Sequence, residues 1–147
     1  MSIINRFDGE YAFLSNFAHR PIIIKGKTWV TVEHIFQAAK TLDEDIREQI
    51  RLASTPVIAK QMGRTVQIRS DWEQIKQEVM LKSVRLKFRL HPGLKEKLLS
   101  TKDAVLIEGN RWHDNIWGDC RCSRCRKIKG KNLLGKILMQ VREEVKE

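Results

Sequence analysis

Glu33, Gln37 and Lys40 place a carboxylate, an amide and an amine on one short segment of the chain. At 100° per residue of a helix they fall within about 60° of one another. Val32, Ile35, Phe36 and Ala39 in the same segment repeat at i, i+3, i+4 and i+7 and predict a core-facing stripe. The polar groups then project along the edge of that stripe, where the wall of a cleft would stand. An acid, an amide and a primary amine there suit proton transfer or nucleophilic attack. The same spacing also fits an ordinary solvated face with i+4 neighbours.

A second group lies far along the chain. Trp112 and Trp117 sit in Glu108–Asp119, a stretch dense in Gly, Asn and Asp. Such residues favour turns, and indole faces beside Asn and Asp suit stacking on a base and bonding to its edges. Cys120-x-Cys122-x2-Cys125 follows at once. Thiolates at this spacing can share a tetrahedral zinc that wants four ligands; His113 is the nearest fourth ligand and a water could also serve, which makes a structural zinc one reading. The alternative is three reduced thiols in a basic loop. With all three cysteines inside six positions, a disulfide framework is not the reading.

Between Cys120 and Arg142 there is no Asp or Glu, while Arg121, Arg124, Arg126, Lys127, Lys129, Lys131, Lys136 and Arg142 supply eight positive charges. Over the whole chain 28 Lys and Arg stand against 18 Asp and Glu, a net +10. A local field of one sign attracts phosphates, though it also describes a solvated loop.

The elements that must position these groups are mostly helical. Pro21–Ile24 and Thr28–Val30 flank Lys25-Gly26-Lys27 as a β-hairpin. Thr31 caps a helix running through Lys40, and Asp43 caps a second with Ile46, Ile50 and Ala53 inward. Thr55-Pro56 opens a third helix, with Gly63 as its stop. Ser70 and Glu73 have capping-box spacing for a long helix to about Leu90, with Trp72, Ile75, Val79 and Leu86 as its inner stripe. His91-Pro92-Gly93 breaks it, Leu94–Leu99 is a short helix and Ala104–Ile107 a strand. Asn132 caps the last helix, with Leu133, Leu134, Ile137, Leu138 and Val141 inward. The expected fold is α+β, mainly helical with a few short strands, as a single domain over 1–147. At 147 residues and 41% apolar content one core is affordable. No apolar run reaches the roughly 18–20 residues of a membrane span, and the start of the chain lacks a secretory pattern, so a cytoplasmic protein with an anionic partner is expected.

Leu14-Ser-Asn-Phe17, Gly26-Lys-Thr-Trp29, Glu33-His-Ile-Phe-Gln-Ala-Ala-Lys40, Met62-Gly-Arg64, Trp117-Gly-Asp119 and Gly130-Lys-Asn-Leu-Leu-Gly-Lys-Ile-Leu-Met139 occur in this order. Together they resemble the YbiA-like or NADAR family, from about Phe7 to Glu144. The resemblance implies an N-glycosidase that breaks a bond between nitrogen and ribose C1′. Its substrate would be a riboflavin-biosynthesis intermediate of the ribosylaminouracil phosphate type, or ADP-ribosylated guanine in nucleic acid. By motif it implies Glu33, Asp119 and Lys40 as catalytic. Asn16, Phe17, Arg64, Trp72, Asn110, Trp117, Gly118, Lys131 and Asn132 would bind substrate, and no cofactor would be required. Two features depart from the family pattern. Leu14 stands where an aromatic residue is frequent, at an expected pocket wall. The Cys cluster with its basic insertion is absent from the plain YbiA-type sequence and favours a larger phosphate-bearing substrate.

The chemistry fits these residue types. Loss of a ribosyl nitrogen builds positive charge at C1′ and needs an anion beside it and a donor for the leaving base. Glu33 and Asp119 suit the divided roles of paired carboxylates. Lys40 also suits a Schiff base with the opened ribose, and the residues alone do not separate that route from direct attack by water. The competing reading is a non-catalytic nucleotide or nucleic-acid binding module that uses the basic Cys-rich loop.

Overall fold

The computed structural model describes residues 2–146. In chain order the elements are β1 (Ile3–Ile4), a 3-10 turn (Gly9–Leu14), β2 (Ile22–Ile24), β3 (Lys27–Trp29), α1 (Val32–Ala38), α2 (Glu44–Arg51) and α3 (Pro56–Gly63). Then come α4 (Trp72–Leu90), α5 (Pro92–Ser100), β4 (Val105–Leu106), β5 (Gly109–Asn110), β6 (Asp119–Cys120) and α6 (Leu133–Glu144). The α+β, mainly helical class is as expected. Contacts divide the chain into two compact units, Asn16–Leu90 and the remainder on either side of it. Among the described residues no helix is long and apolar enough to cross a membrane.

The central unit opens with the β2–β3 hairpin, Ile22 opposite Trp29 and Ile24 opposite Lys27. Lys25 and Gly26 both have positive φ, 50° and 79°, the conformation that a tight two-residue hairpin turn requires. Thr31 caps α1 as expected, its Oγ1 accepting from His34 N–H. Asp43 Oδ1 caps α2 through the Asp45 and Ile46 amides. Thr55 Oγ1 caps α3 through Ile58, with Pro56 in the first turn. Helix α1 packs against α2, α3 and α4. Ala38, Ile50 and Ala59 form the core there, with Trp29, Ile46, Ala53, Met62 and Val66 around it.

That crowding changes the expectation for α1. Covered on three sides, it buries Glu33, His34 and Gln37 as well as Val32 and Phe36. The polar residues are therefore not at the margin of a half-covered helix; a single-stripe reading assumes one packed face. The helix also ends at Ala38, and Lys40 lies in the following turn, its N–H donating to Gln37 O at 3.2 Å and its carbonyl accepting from Arg69 N–H at 2.8 Å.

Helix α3 ends at Gly63 as expected, where the missing side chain also leaves room for Gln37. Two further details of this unit differ from expectation. Glu73 Oε1 accepts from Lys76 Nζ at 2.7 Å instead of reaching back to Ser70, and α4 begins at Trp72. The buried face of α4 is Trp72, Met80, Ser83, Val84, Lys87 and Phe88. Ile75, Val79 and Leu86 are only partly covered, because the packed stripe runs one row around from the expected one.

The other unit joins the two ends of the chain. Ile3 and Ile4 pair in parallel with Val105 and Leu106. Gly109 and Asn110 pair in parallel with Asp119 and Cys120. Helix α6 lays Leu134, Ile137, Leu138 and Val141 inward and packs on β4 and α5. Asn132 stands at the N-cap position of α6 without a side-chain cap bond, at φ 52°. Its side chain instead accepts from Glu108 N–H and donates to Leu106 O, both at 2.9 Å. It ties the helix start to the strand. Leu14 is fully buried and serves as core.

Candidate active site

In the central unit the first group of sequence-predicted residues gathers around α1. Glu33 is only 7% exposed and Gln37 only 3%. Gln37 Nε2 donates to Glu33 Oε2 at 2.5 Å, so the i, i+4 spacing is realised as a direct bond. Glu33 N–H donates to Asn16 O at 3.1 Å, and Asn16 Nδ2 contacts Met80 Sδ at 3.4 Å. Asn16 thereby joins the first turn of α1 to α4.

The amine of Lys40 lies 5.6 Å from the centre of the Phe36 ring. Burial pulls its pKa below the ordinary lysine value. The Glu33 carboxylate opposes that shift, and Lys60 and Arg64 reinforce it. These influences place an acid and three cations in one electrostatic neighbourhood. Lys60 Nζ also lies 5.7 Å over the ring of Phe17.

Trp72 is 6% exposed, its ring tilted at 59° against Phe36 with centroids 5.1 Å apart. It packs against the helix that carries Glu33 and offers little free face for stacking.

His34 escaped the sequence reading. Its ring contacts Thr31 Oγ1 at 2.8 Å and Ala53 O at 3.0 Å. Burial holds its pKa below the usual histidine value. A helix-period reading cannot find such a residue, since its partner Ala53 lies beyond the next helix.

In the other unit the second group is organised as a loop. Asn110 is buried, its Oδ1 accepting from Trp112 and Asp114 N–H and its Nδ2 donating to Asp114 O at 2.8 Å. Its polar atoms hold the loop's shape. Asp119 Oδ1 accepts from Gly130 N–H at 2.9 Å, which closes the basic segment back onto β6. Gly118 is buried and Trp117 half-buried, while Lys131 is exposed. A side chain at Gly118 would stand 2.1 Å from Glu108 O, so only glycine fits there. Trp112 is 60% exposed.

The Cys motif folds into a four-residue cluster. His113, Cys120, Cys122 and Cys125 bring one ligand atom each to within 4.8 Å of one another, an arrangement able to hold a metal ion.

Residues 4–146 of this chain match the NADAR domain family. The chain is a member of the NADAR family.

The NADAR chain is 45% identical over 148 residues to the N-glycosidase YbiA of Escherichia coli (strain K12), an alignment that covers 98% of this chain and 89% of that protein. It is 40% identical over 141 residues to an N-glycosidase of Nostoc punctiforme, covering 92% and 86% of the two chains. It is also 40% identical over 130 residues to the chloroplastic riboflavin biosynthesis protein PYRR of Zea mays, covering 80% of this chain and 20% of that one. Among solved structures, the NMR structure of E. coli YbiA superposes with a TM-score of 0.84 at 44% identity, over 98% of this chain and 84% of that one. The NADAR fold thus spans both compact units.

Proposed function

We propose that this NADAR chain removes a base from ribose C1′ of a phosphorylated ribosylamine, of the ribosylaminouracil phosphate type, with Lys40 as nucleophile and Glu33 as proton carrier. As a class it is a hydrolase of the N-glycosidase kind, in keeping with its N-glycosidase relatives. A relative named for riboflavin biosynthesis supports the substrate type. The observation that carries the residue roles is the Lys40 amine, lowered by burial and in the field of the buried Glu33.

The chemistry runs on side chains and water, with no cofactor required. An exocyclic nitrogen on C1′ lets the sugar ring open: the C1′–O4′ bond breaks and C1′ becomes an imine carbon. Neutral Lys40 Nζ adds to C1′. A proton passes from Nζ through Glu33 to the departing nitrogen, the C1′–N bond breaks, and the base leaves as a free amine. The Lys40 imine then takes up one water, which releases the opened ribose phosphate and restores the amine. Burial lowers the Lys40 pKa and so enlarges the share of neutral amine, the form this step needs. Gln37, bonded to Glu33, keeps the carboxyl group oriented. Lys60 and Arg64, the cations that act on Lys40, suit the phosphate. Asn16, whose carbonyl accepts from Glu33 N–H, and Phe17, under the Lys60 amine, serve the same site, and Trp72 packs on Phe36 beside it. In the other unit, the family resemblance supports a substrate role for the Asp119 carboxylate, the Trp117 ring and exposed Lys131, in a loop shaped by Asn110, Gly118 and Asn132.

A second substrate, ADP-ribosylated guanine in nucleic acid, is favoured by one observation: Arg121, Arg124, Arg126, Lys127, Lys129 and Lys131 are all exposed. Three free thiols accord with a reducing, cytoplasmic setting. Incubation with each substrate and mass analysis of the products tests the proposal. Release of the free base from either one is expected, together with a sugar adduct on Lys40 after borohydride reduction. Tight, salt-sensitive binding without consumption would mark a non-catalytic module and end the enzymatic reading.

A further inference from the structure

The segment from Arg121 to Lys131 has no means of folding on its own apolar surface. Its one large hydrophobic side chain, Ile128, is 52% exposed, and six of its residues are Arg or Lys. It is nevertheless wound into a compact turn, with Cys125 N–H donating to Cys122 O at 3.2 Å and Ile128 N–H to Cys125 O at 2.8 Å. What it buries is sulfur: Cys120 and Cys125 are buried and Cys122 is partly so. Short segments without an apolar core are commonly organised by a metal.

We propose that His113, Cys120, Cys122 and Cys125 form a structural zinc site that pins the basic segment to β6. His113 Nδ1 lies 3.3 Å from Cys125 Sγ, 3.3 Å from Cys122 Sγ and 3.9 Å from Cys120 Sγ. Zn–S bonds near 2.3 Å and Zn–N bonds near 2.0–2.1 Å in a tetrahedron require about 3.5 Å between nitrogen and each sulfur. The three distances bracket that value, so the ligands need only small shifts. Four protein ligands fill a zinc tetrahedron and leave no position for a reacting water, which makes the site structural rather than catalytic.

The surroundings of the sulfurs agree. Cys120 Sγ accepts from the His113 and Cys122 backbone amides at 3.3 and 3.5 Å, bonds that stabilise a thiolate ligand and orient it. Three thiolates around one Zn²⁺ leave a net charge of −1, and Arg121, Arg124 and Arg126 lie within the same short segment. Uptake of zinc releases the thiol protons to solvent and moves no electrons. One contact must yield. Arg124 Nη2 donates to His113 Nε2 at 2.7 Å. A neutral His113 bound through Nδ1 carries its proton on Nε2, where two donors would meet, so the exposed Arg124 swings away on binding. The zinc then closes one end of the basic loop, and the bond from Gly130 N–H to Asp119 Oδ1 closes the other.

The test uses the untagged chain under reducing conditions, and none of its readouts involves catalysis. One zinc per chain is expected. Cobalt added to the stripped protein should show thiolate charge-transfer and tetrahedral d–d bands that zinc abolishes. Cys122→Ser should lose the bands. His113→Ala should bind cobalt about tenfold more weakly or worse, since even outer-shell losses cost about that much. Arg124→Ala should bind at least as well as the native chain. Trypsin should cut between residues 121 and 131 slowly with zinc and rapidly after chelation. Absence of zinc after reconstitution, a disulfide in its place, or a cleavage rate indifferent to zinc would overturn the site. Unchanged cobalt binding in His113→Ala would remove His113 as a ligand and so overturn it as well. The glycosidase proposal stands or falls separately.

Discussion

Gly63 and Gln37 meet where α3 crosses α1: a Cβ on Gly63 would stand 1.9 Å from Gln37 Oε1 and 2.8 Å from its Cδ. The absence of a side chain at Gly63 is what allows Gln37 to lie flat and donate to Glu33. Gln37 Oε1 has no hydrogen-bond partner among the described residues, so the amide is held by packing on one side and by the carboxyl group on the other.

Gly63→Ala should therefore displace Gln37 and lower stability by about 1–3 kcal/mol, as overpacking does. Base release should slow at the same time. Adding Gln37→Ala should recover much of the lost stability without restoring activity. A double-mutant cycle in urea, with a coupling term near zero, would contradict the contact.

Glu33→Gln removes the proton carrier while keeping shape and burial. We expect a loss of about 10²–10⁴-fold in base release, the usual range for a general acid–base group, with thermal stability nearly unchanged. Full activity in this variant would contradict the role of Glu33.

The Lys40 amine must be neutral to attack, and its pKa is lowered chiefly by burial. Single-turnover base release should rise with pH through a midpoint below the ordinary lysine value of about 10.4. Arg64 contributes to that lowering, so Arg64→Ala should raise the pKa and move the rise to higher pH. Lys40→Arg should leave no adduct after borohydride reduction. A profile unmoved by Arg64→Ala would separate Lys40 from the titration.

Lys87 is buried in α4, with its pKa brought down to about 7 by burial first and by Arg20 second. An unfolded lysine titrates near 10.4, so between about pH 7 and pH 10 the unfolded chain binds more protons than the folded one. Stability should rise with pH across that window, by at most roughly 5 kcal/mol. Lys87→Met should flatten this rise in a series of thermal melts. An unchanged slope would show that Lys87 titrates normally.

Local signals in the sequence determined the elements. Thr31, Asp43 and Thr55 cap the helices expected of them, because a cap needs only the next few amides. The Lys25-Gly26 turn and the break before Pro92 are equally local. The ordered family words identified the N-glycosidase class before any geometry, and the Cys spacing singled out the cluster that His113 completes.

Tertiary structure decided what those residues do. Spacing placed Gln37 and Glu33 on one face, but only packing against α3, at a glycine 26 positions beyond Gln37, fixed the amide on the carboxyl group. Asn132 reads as a cap, yet its side chain serves Glu108 and Leu106, partners that no short-range pattern contains. Burial of Trp72 on Phe36 and of Lys87 in α4 likewise depends on which helices surround them. Hydrogen bonds within a turn are written into consecutive residues; desolvation and close packing arise only when distant segments meet.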